Sequence, residues 1–99
     1  MLNQVVLVGR LTSDPKVEEK GDKKVTNVTI AIPRSFKNID GTYDTDFIKC
    51  TLYDNIATNT SEYCKKGDIV GIKGRLQNFD SEDTNVIAEK VTFLSSKSE

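Results

Sequence analysis

An all-β fold, a five-stranded Greek-key barrel with one short helix between its third and fourth strands, is what this 99-residue sequence predicts. Three observations predict it. Apolar residues recur with a period of two in separate segments, glycines stand inside those segments where they let a sheet coil, and a single stretch with helical spacing interrupts the series.

The elements follow in order. Residues 4–11 are an apolar run closed by Thr12-Ser13-Asp14-Pro15, where proline cannot continue a ladder; this is the first strand, with Gly9 as a bend or bulge. Residues 16–24 are charged and carry Gly21-Asp22, which fits a hairpin with short limbs. Residues 25–32 alternate, Val28, Ile30 and Ile32 inward and Asn27, Thr29 and Ala31 outward, and form the second strand. Residues 33–44 are polar, contain Asp40-Gly41, and read as a protruding, mobile β-hairpin. In residues 47–53, the third strand, Ile48, Cys50 and Leu52 make an apolar face and Phe47, Lys49, Thr51 and Tyr53 the opposite one.

Asp54 or Asn55 is the expected cap of a helix through Cys64, with Ile56, Thr60, Tyr63 and Cys64 on one face and Lys65-Lys66-Gly67 ending it. Residues 69–79 are the fourth strand, Val70, Ile72 and Leu76 on one face, Ile69, Lys73, Arg75 and Gln77 on the other, with Gly71 and Gly74 permitting coiling. Residues 80–84 turn the chain. Residues 85–94 are the fifth strand, Val86, Ala88, Val91 and Phe93 contributing to packing. Residues 1–95 thus form one domain, and 96–99 a short frayed C-terminal end.

Composition narrows the function. The chain shows no secretory leader and no run of apolar residues long enough to span a membrane, so a soluble, cytoplasmic protein is expected. Two cysteines without any histidine fall short of a structural zinc site and fit two reduced, buried thiols; no metal and no cofactor is expected. No catalytic residue is expected either, because histidine, a paired thiolate and base, and a phosphate loop are all missing. A net charge of −1 argues against indiscriminate coating of polyanions. Acids gather in residues 14–22, 40–46 and 80–83, however, while Lys49, Lys73 and Arg75 stand inside strands.

On the outward face of the third strand, Phe47 and Tyr53 flank Lys49, offering flat rings for bases and an ammonium for phosphates. Barrels of the OB type bind oligonucleotides on their second and third strands and adjoining loops, which is where this segment lies. Lys49, Lys73 and Arg75 share a predicted face that tracks phosphates, assisted by Arg34 and Lys37 on the hairpin and by Arg10 at the end of the first strand. The alternatives are that the rings complete the core and that the cations are a solvated face.

Several strings resemble the bacterial single-stranded DNA-binding protein family: Asn3-Gln4-Val5-Val6-Leu7-Val8-Gly9-Arg10-Leu11 with Asp14-Pro15, then Arg34-Ser35-Phe36-Lys37-Asn38, Asp40-Gly41 and Thr45-Asp46-Phe47-Ile48. Tyr63-Cys64-Lys65-Lys66-Gly67 and Val70-Gly71-Ile72-Lys73-Gly74-Arg75-Leu76-Gln77 continue it in the same order. The resemblance covers almost the whole chain. It implies an OB fold, a homotetramer (a dimer is possible), and sequence-nonspecific sequestration of single-stranded DNA in replication, recombination and repair, in the cytoplasm, nucleoid-associated or inside an infected host cell. Carried over by position, its base-stacking aromatics fall on Phe36, Phe47, Tyr53 and Phe79; Tyr43 and Tyr63 are read as structural.

The sequence departs from the family's pattern in three ways. Tryptophan is absent, Asp54 and the acidic residues 80–83 put negative charge near the expected site, and no Gly/Gln/Pro-rich linker or acidic tip ending in Pro-Phe follows. Tail-mediated recruitment of replication proteins is therefore not expected, and the chain is either cut after its OB domain or a short variant from a phage or mobile element. A second reading stays open: an OB-fold protein-interaction module, a primosomal or mobile-element accessory factor that binds nucleic acid weakly.

Overall fold

The segments of period two become strands in the order β1 (Val5–Leu11), β2 (Glu18–Lys20), β3 (Lys23–Lys37), β4 (Tyr43–Tyr53), β5 (Ile69–Asn78) and β6 (Thr84–Ser95), with helix α1 (Asp54–Tyr63) between β4 and β5. The computed structural model describes residues 1–80 and 83–95, so residues 96–99, expected to fray, lie outside it. Five strands close the predicted barrel in the order β1-β5-β6-β4-β3, β1 returning to β3 through Arg10↔Ala31 and Leu11↔Ile30. The short β2, from the predicted charged hairpin, is appended to β3. Every pairing is antiparallel except β4 with β6, at Cys50↔Val86 and Thr51↔Ile87. Parallel neighbours need a crossover, and α1 with β5 supplies it.

The inward positions of the strands fill the barrel. Leu11, Val28, Ile30, Cys50, Leu52, Val70, Ile72, Val86 and Ala88 form the core, and Ala57 and Cys64 cover one end of it. Both cysteines are buried free thiols. Burial pushes the Cys50 thiol up to about 11, and burial followed by the charge of Asp68 raises that of Cys64.

Two glycines mark close approaches. At Gly74 a Cβ would collide with the Ile87 carbonyl, and at Gly9 it would meet the Ile32 Cγ1 at 2.9 Å where β1 passes from β5 to β3. Gly9 thus serves a backbone crossing, whereas the register irregularities of β5 with β6 fall between Ile69 and Val70 and between Lys73 and Gly74.

Several expectations are corrected. Leu76, expected inside, is 47% exposed, because β1 stops opposite Gly74 and β5 continues beyond it with one neighbour fewer. Phe93 is 44% exposed and its ring lies 6.1 Å from that of Tyr63, which is itself exposed; Ala57 and Thr60 are the buried residues of the helix. Tyr53 is the N-cap and makes no side-chain cap; Asp54 instead takes φ +54°, and its Oδ1 accepts the Lys24 N–H at 3.2 Å. The Lys65-Lys66-Gly67 segment follows the helix rather than lying in its last turn. It is pinned by carboxylates, Lys65 N–H donating to Asp68 Oδ2 at 2.9 Å and Lys66 N–H to Asp14 Oδ1 at 2.7 Å.

Candidate nucleic-acid interface

β3 and β4 run past their predicted ends and turn only at residues 38–42. Asn38 organises that turn. Its Oδ1 accepts the N–H groups of Asp40 and Thr42 at 2.9 and 3.1 Å, and its Nδ2 donates to Thr42 Oγ1 at 2.9 Å and Asp44 Oδ1 at 3.0 Å. Gly41 takes φ +84°, which glycine adopts at no steric cost. Below the turn, Arg34 grips Asp46 and lies 3.6 Å from Asp44. The hairpin is a tied structure, with both arms in the sheet.

Along β4 the outward positions are Tyr43, Thr45, Phe47, Lys49, Thr51 and Tyr53. Phe47 is 63% exposed, and the residues opposite Phe47 and Lys49 on β3 are the small Ala31 and Thr29, which leave ring and ammonium standing clear of the sheet. Thr51 departs from the expected exposure: it is buried, its Oγ1 donating to Asn27 Oδ1 at 3.0 Å. Tyr53 is half-buried beneath Lys23, whose Nζ lies 5.5 Å from the ring centroid. On the hairpin, Phe36 is 65% exposed, and the Lys37 Nζ lies 6.0 Å from the Tyr43 ring centroid.

A cleft of about 360 Å³ opens beside this face, lined by Phe47, Ile48, Lys49, Asp83, Thr84 and Asn85. The Asn85 Oδ1 in its lining is buried without a hydrogen-bond partner among the described residues. Phe79, half-exposed, stands at the base of the adjoining β5–β6 turn, directly after β5, its N–H donating to the Asp83 carbonyl at 2.9 Å. Ser81 and Glu82 of that acidic turn lie outside the described residues.

The cations are distributed less simply than their strand parity suggests. Lys49 belongs to the face just described. Lys73 does not join it, because β6 separates β5 from β4; it sits opposite Val6 on β1 and Lys90 on β6. Arg75 donates to Gln77 Oε1 at 2.7 Å and lies 3.6 Å from Glu89. Arg10 comes closer than expected: the registers Arg10↔Ala31 and Ala31↔Phe47 set it in one row with Phe47, while its Nη1 donates to the Gly67 carbonyl at 2.8 Å. Arg34 is engaged by Asp46. Tyr43, expected to be structural, stands on this surface as does Lys23; the alternation of β4, continued two steps towards its N-terminus from Phe47, leads to Tyr43.

Chemically, the surface offers exposed rings interleaved with ammonium groups beside an open cleft. Comparisons with known proteins point the same way. The single-stranded DNA-binding protein B of Bacillus subtilis is 42% identical over 98% of this chain and 94% of its own length. That of Oceanobacillus iheyensis is 43% identical over 98% of this chain, which spans 66% of that relative. The crystal structure of the single-stranded DNA binding protein from Thermus aquaticus superposes with a TM-score of 0.77 at 29% identity, covering 99% of this chain and 43% of that one. The family model of the single-strand binding proteins matches residues 2–96, and the chain belongs to that family.

Proposed function

We propose that this chain binds single-stranded DNA without sequence preference, and protects it during replication, recombination and repair, as a binding protein rather than an enzyme. Bases stack on Phe36, Phe47 and Tyr53, with Phe79 on the adjoining β5–β6 turn; Lys49, Lys37 and Arg10 neutralise phosphates near these rings, and Lys73 and Arg75 extend the path around the barrel. The observation that carries this reading is Phe47, a 63%-exposed aromatic beside Lys49 on the outward face of a barrel strand. A ring left in water opposite an alanine has no packing role, whereas stacking of a base on it is worth about 1–3 kcal/mol. No helix of the described residues is long and apolar enough to cross a membrane, and we place the protein in the cytoplasm with the nucleoid or with the DNA of an infecting element.

The assembly is read as a homotetramer or a dimer. Val6 and Val8 are 71% and 54% exposed on β1, whose edge opposite β5 pairs with β3 only at Arg10 and Leu11. An exposed apolar strand whose edge is unpaired among the described residues suits pairing with a second copy. Light scattering should then give about four or two times the 11.0 kDa chain mass, and a monomer mass overturns the assembly.

Fluorescence anisotropy with labelled oligo-dT tests the binding reading. Phe47→Ala/Tyr53→Ala should weaken binding about thirtyfold or more, the equivalent of about 1 kcal/mol from each ring. Unchanged binding by the double variant removes the stacking platform. Negligible binding by the unaltered protein at about 0.1 M salt supports the protein-interaction module instead.

A further inference from the structure

We infer that Tyr43, together with Lys37 across the ladder, forms an additional base-stacking site at the outer end of the platform, an inference that rests on the single-stranded DNA reading above. Tyr43 opens β4 with the same outward parity as Phe47 and Lys49, and it is 57% exposed rather than packed into the core. Four residues at about 3.3 Å each separate it from Phe47 by about 13 Å, farther than one stacked base reaches, so the two rings serve different nucleotides.

Lys37 pairs directly with Tyr43 and its Nζ lies over one face of the ring, 6.0 Å from the centroid, which leaves the other face for a base and keeps an ammonium within reach of that nucleotide's phosphate. The same pairing of ring and lysine recurs at the other end of β4, where the Lys23 Nζ lies 5.5 Å from the Tyr53 ring. The ring is also held in place beforehand. The Asn38 Nδ2 bonds to Thr42 and Asp44, together with the Arg34–Asp46 pair, keep the hairpin ordered, which lowers the entropy lost on binding.

The absence of tryptophan makes the test direct, because ultraviolet emission comes from Tyr43, Tyr53 and Tyr63. Oligo-dT of about 16 nucleotides and of about 4 nucleotides bracket the span of one such barrel. Tyr43→Phe should keep affinity for the longer oligonucleotide within about twofold of the unaltered protein while reducing the quenching of tyrosine emission on binding. Tyr43→Ala should weaken the longer one by about fivefold or more and leave the shorter nearly unchanged. If the unaltered protein binds and Phe47→Ala weakens it, but Tyr43→Phe quenches in full and Tyr43→Ala binds normally, the Tyr43 site is overturned alone. A Tyr43→Ala loss shared equally by both oligonucleotides, with a lowered unfolding midpoint and full quenching in Tyr43→Phe, also overturns it in favour of a purely structural ring. If Phe47→Ala has no effect either, the underlying reading fails with it.

Discussion

Arg34 holds Asp46 with both arms of its guanidinium, Nη2 to Oδ1 at 2.9 Å and Nε to Oδ2 at 3.2 Å. The fork geometry matches a carboxylate as well as it would match a phosphate, so the hairpin carries its own anion for this arginine. Lys49 has no such partner among the described residues. Two cations that look alike in the sequence therefore stand in different electrostatic states.

Salt dependence should separate them. Lys49→Gln is expected to reduce the steepness of log affinity against log salt by about 0.7, the value for one phosphate contact on a single strand. Arg34→Gln should change the slope by clearly less, and measuring both by oligo-dT titration checks the assignment. A full-sized change for Arg34 would mean that it leaves Asp46 for the DNA.

Acid should act on the same pair. The hydrogen bond from Arg34, then its charge, holds the Asp46 carboxyl below its ordinary value, and the Asp46 hydrogen bond raises that of Arg34. A carboxyl with a depressed folded-state value stabilises above its unfolded value and loses that contribution as pH falls through the folded one. The hairpin should therefore be insensitive to pH from about 5 to 8 and loosen only below the usual range near 3.9. Following the Asp46 side-chain carbon by NMR should show a midpoint below that of a free aspartate.

Gly74→Ala is expected to destabilise the barrel by about 3 kcal/mol. The new Cβ would press on the Ile87 carbonyl, which is backbone in a paired strand and cannot swing aside. Urea unfolding gives the value directly. Gly71→Ala is the control, because there a Cβ would meet nothing nearer than the Leu94 side chain at 3.5 Å.

Thiol reactivity reports on the core. Cys50 and Cys64 are 1% and 4% exposed, and their raised values keep them protonated at neutral pH. Labelling by a thiol reagent should be slow in the native protein and reach two groups per chain in denaturant. For Cys50 the sign favours folding below the ordinary thiol value of 9.0 and is lost as pH rises towards about 11. Fast labelling at pH 7 would contradict its burial.

The period-two pattern carried much of this architecture on its own. Val28, Ile30, Cys50, Leu52, Val70 and Ile72 recur at every second position of their strands, and each lies in the core where that period puts it. The outward stand of Phe47 and Lys49 was legible for the same reason, since a strand turns successive side chains to opposite faces regardless of its neighbours. Alternation is a local rule, however, and says nothing about which strand lies beside which. Lys73 shares a parity with Lys49 but is separated from it by β6, whereas Arg10, distant in sequence, stands in one row with Phe47 because barrel closure brings β1 against β3.

The ends of elements were equally beyond local reach. Leu76 is half-exposed only because β1 stops opposite Gly74, and Tyr63 alone of its expected face stands out in solvent, Thr60 and Cys64 being buried with Ala57 and Ile56 packed against the core. Which residues face in or out along a strand is thus written in the chain, by the geometry of the pleat. Which cations meet which rings, and which arginine is already bound by its own aspartates, follows only from closing the barrel, because those neighbours come from strands far apart in sequence.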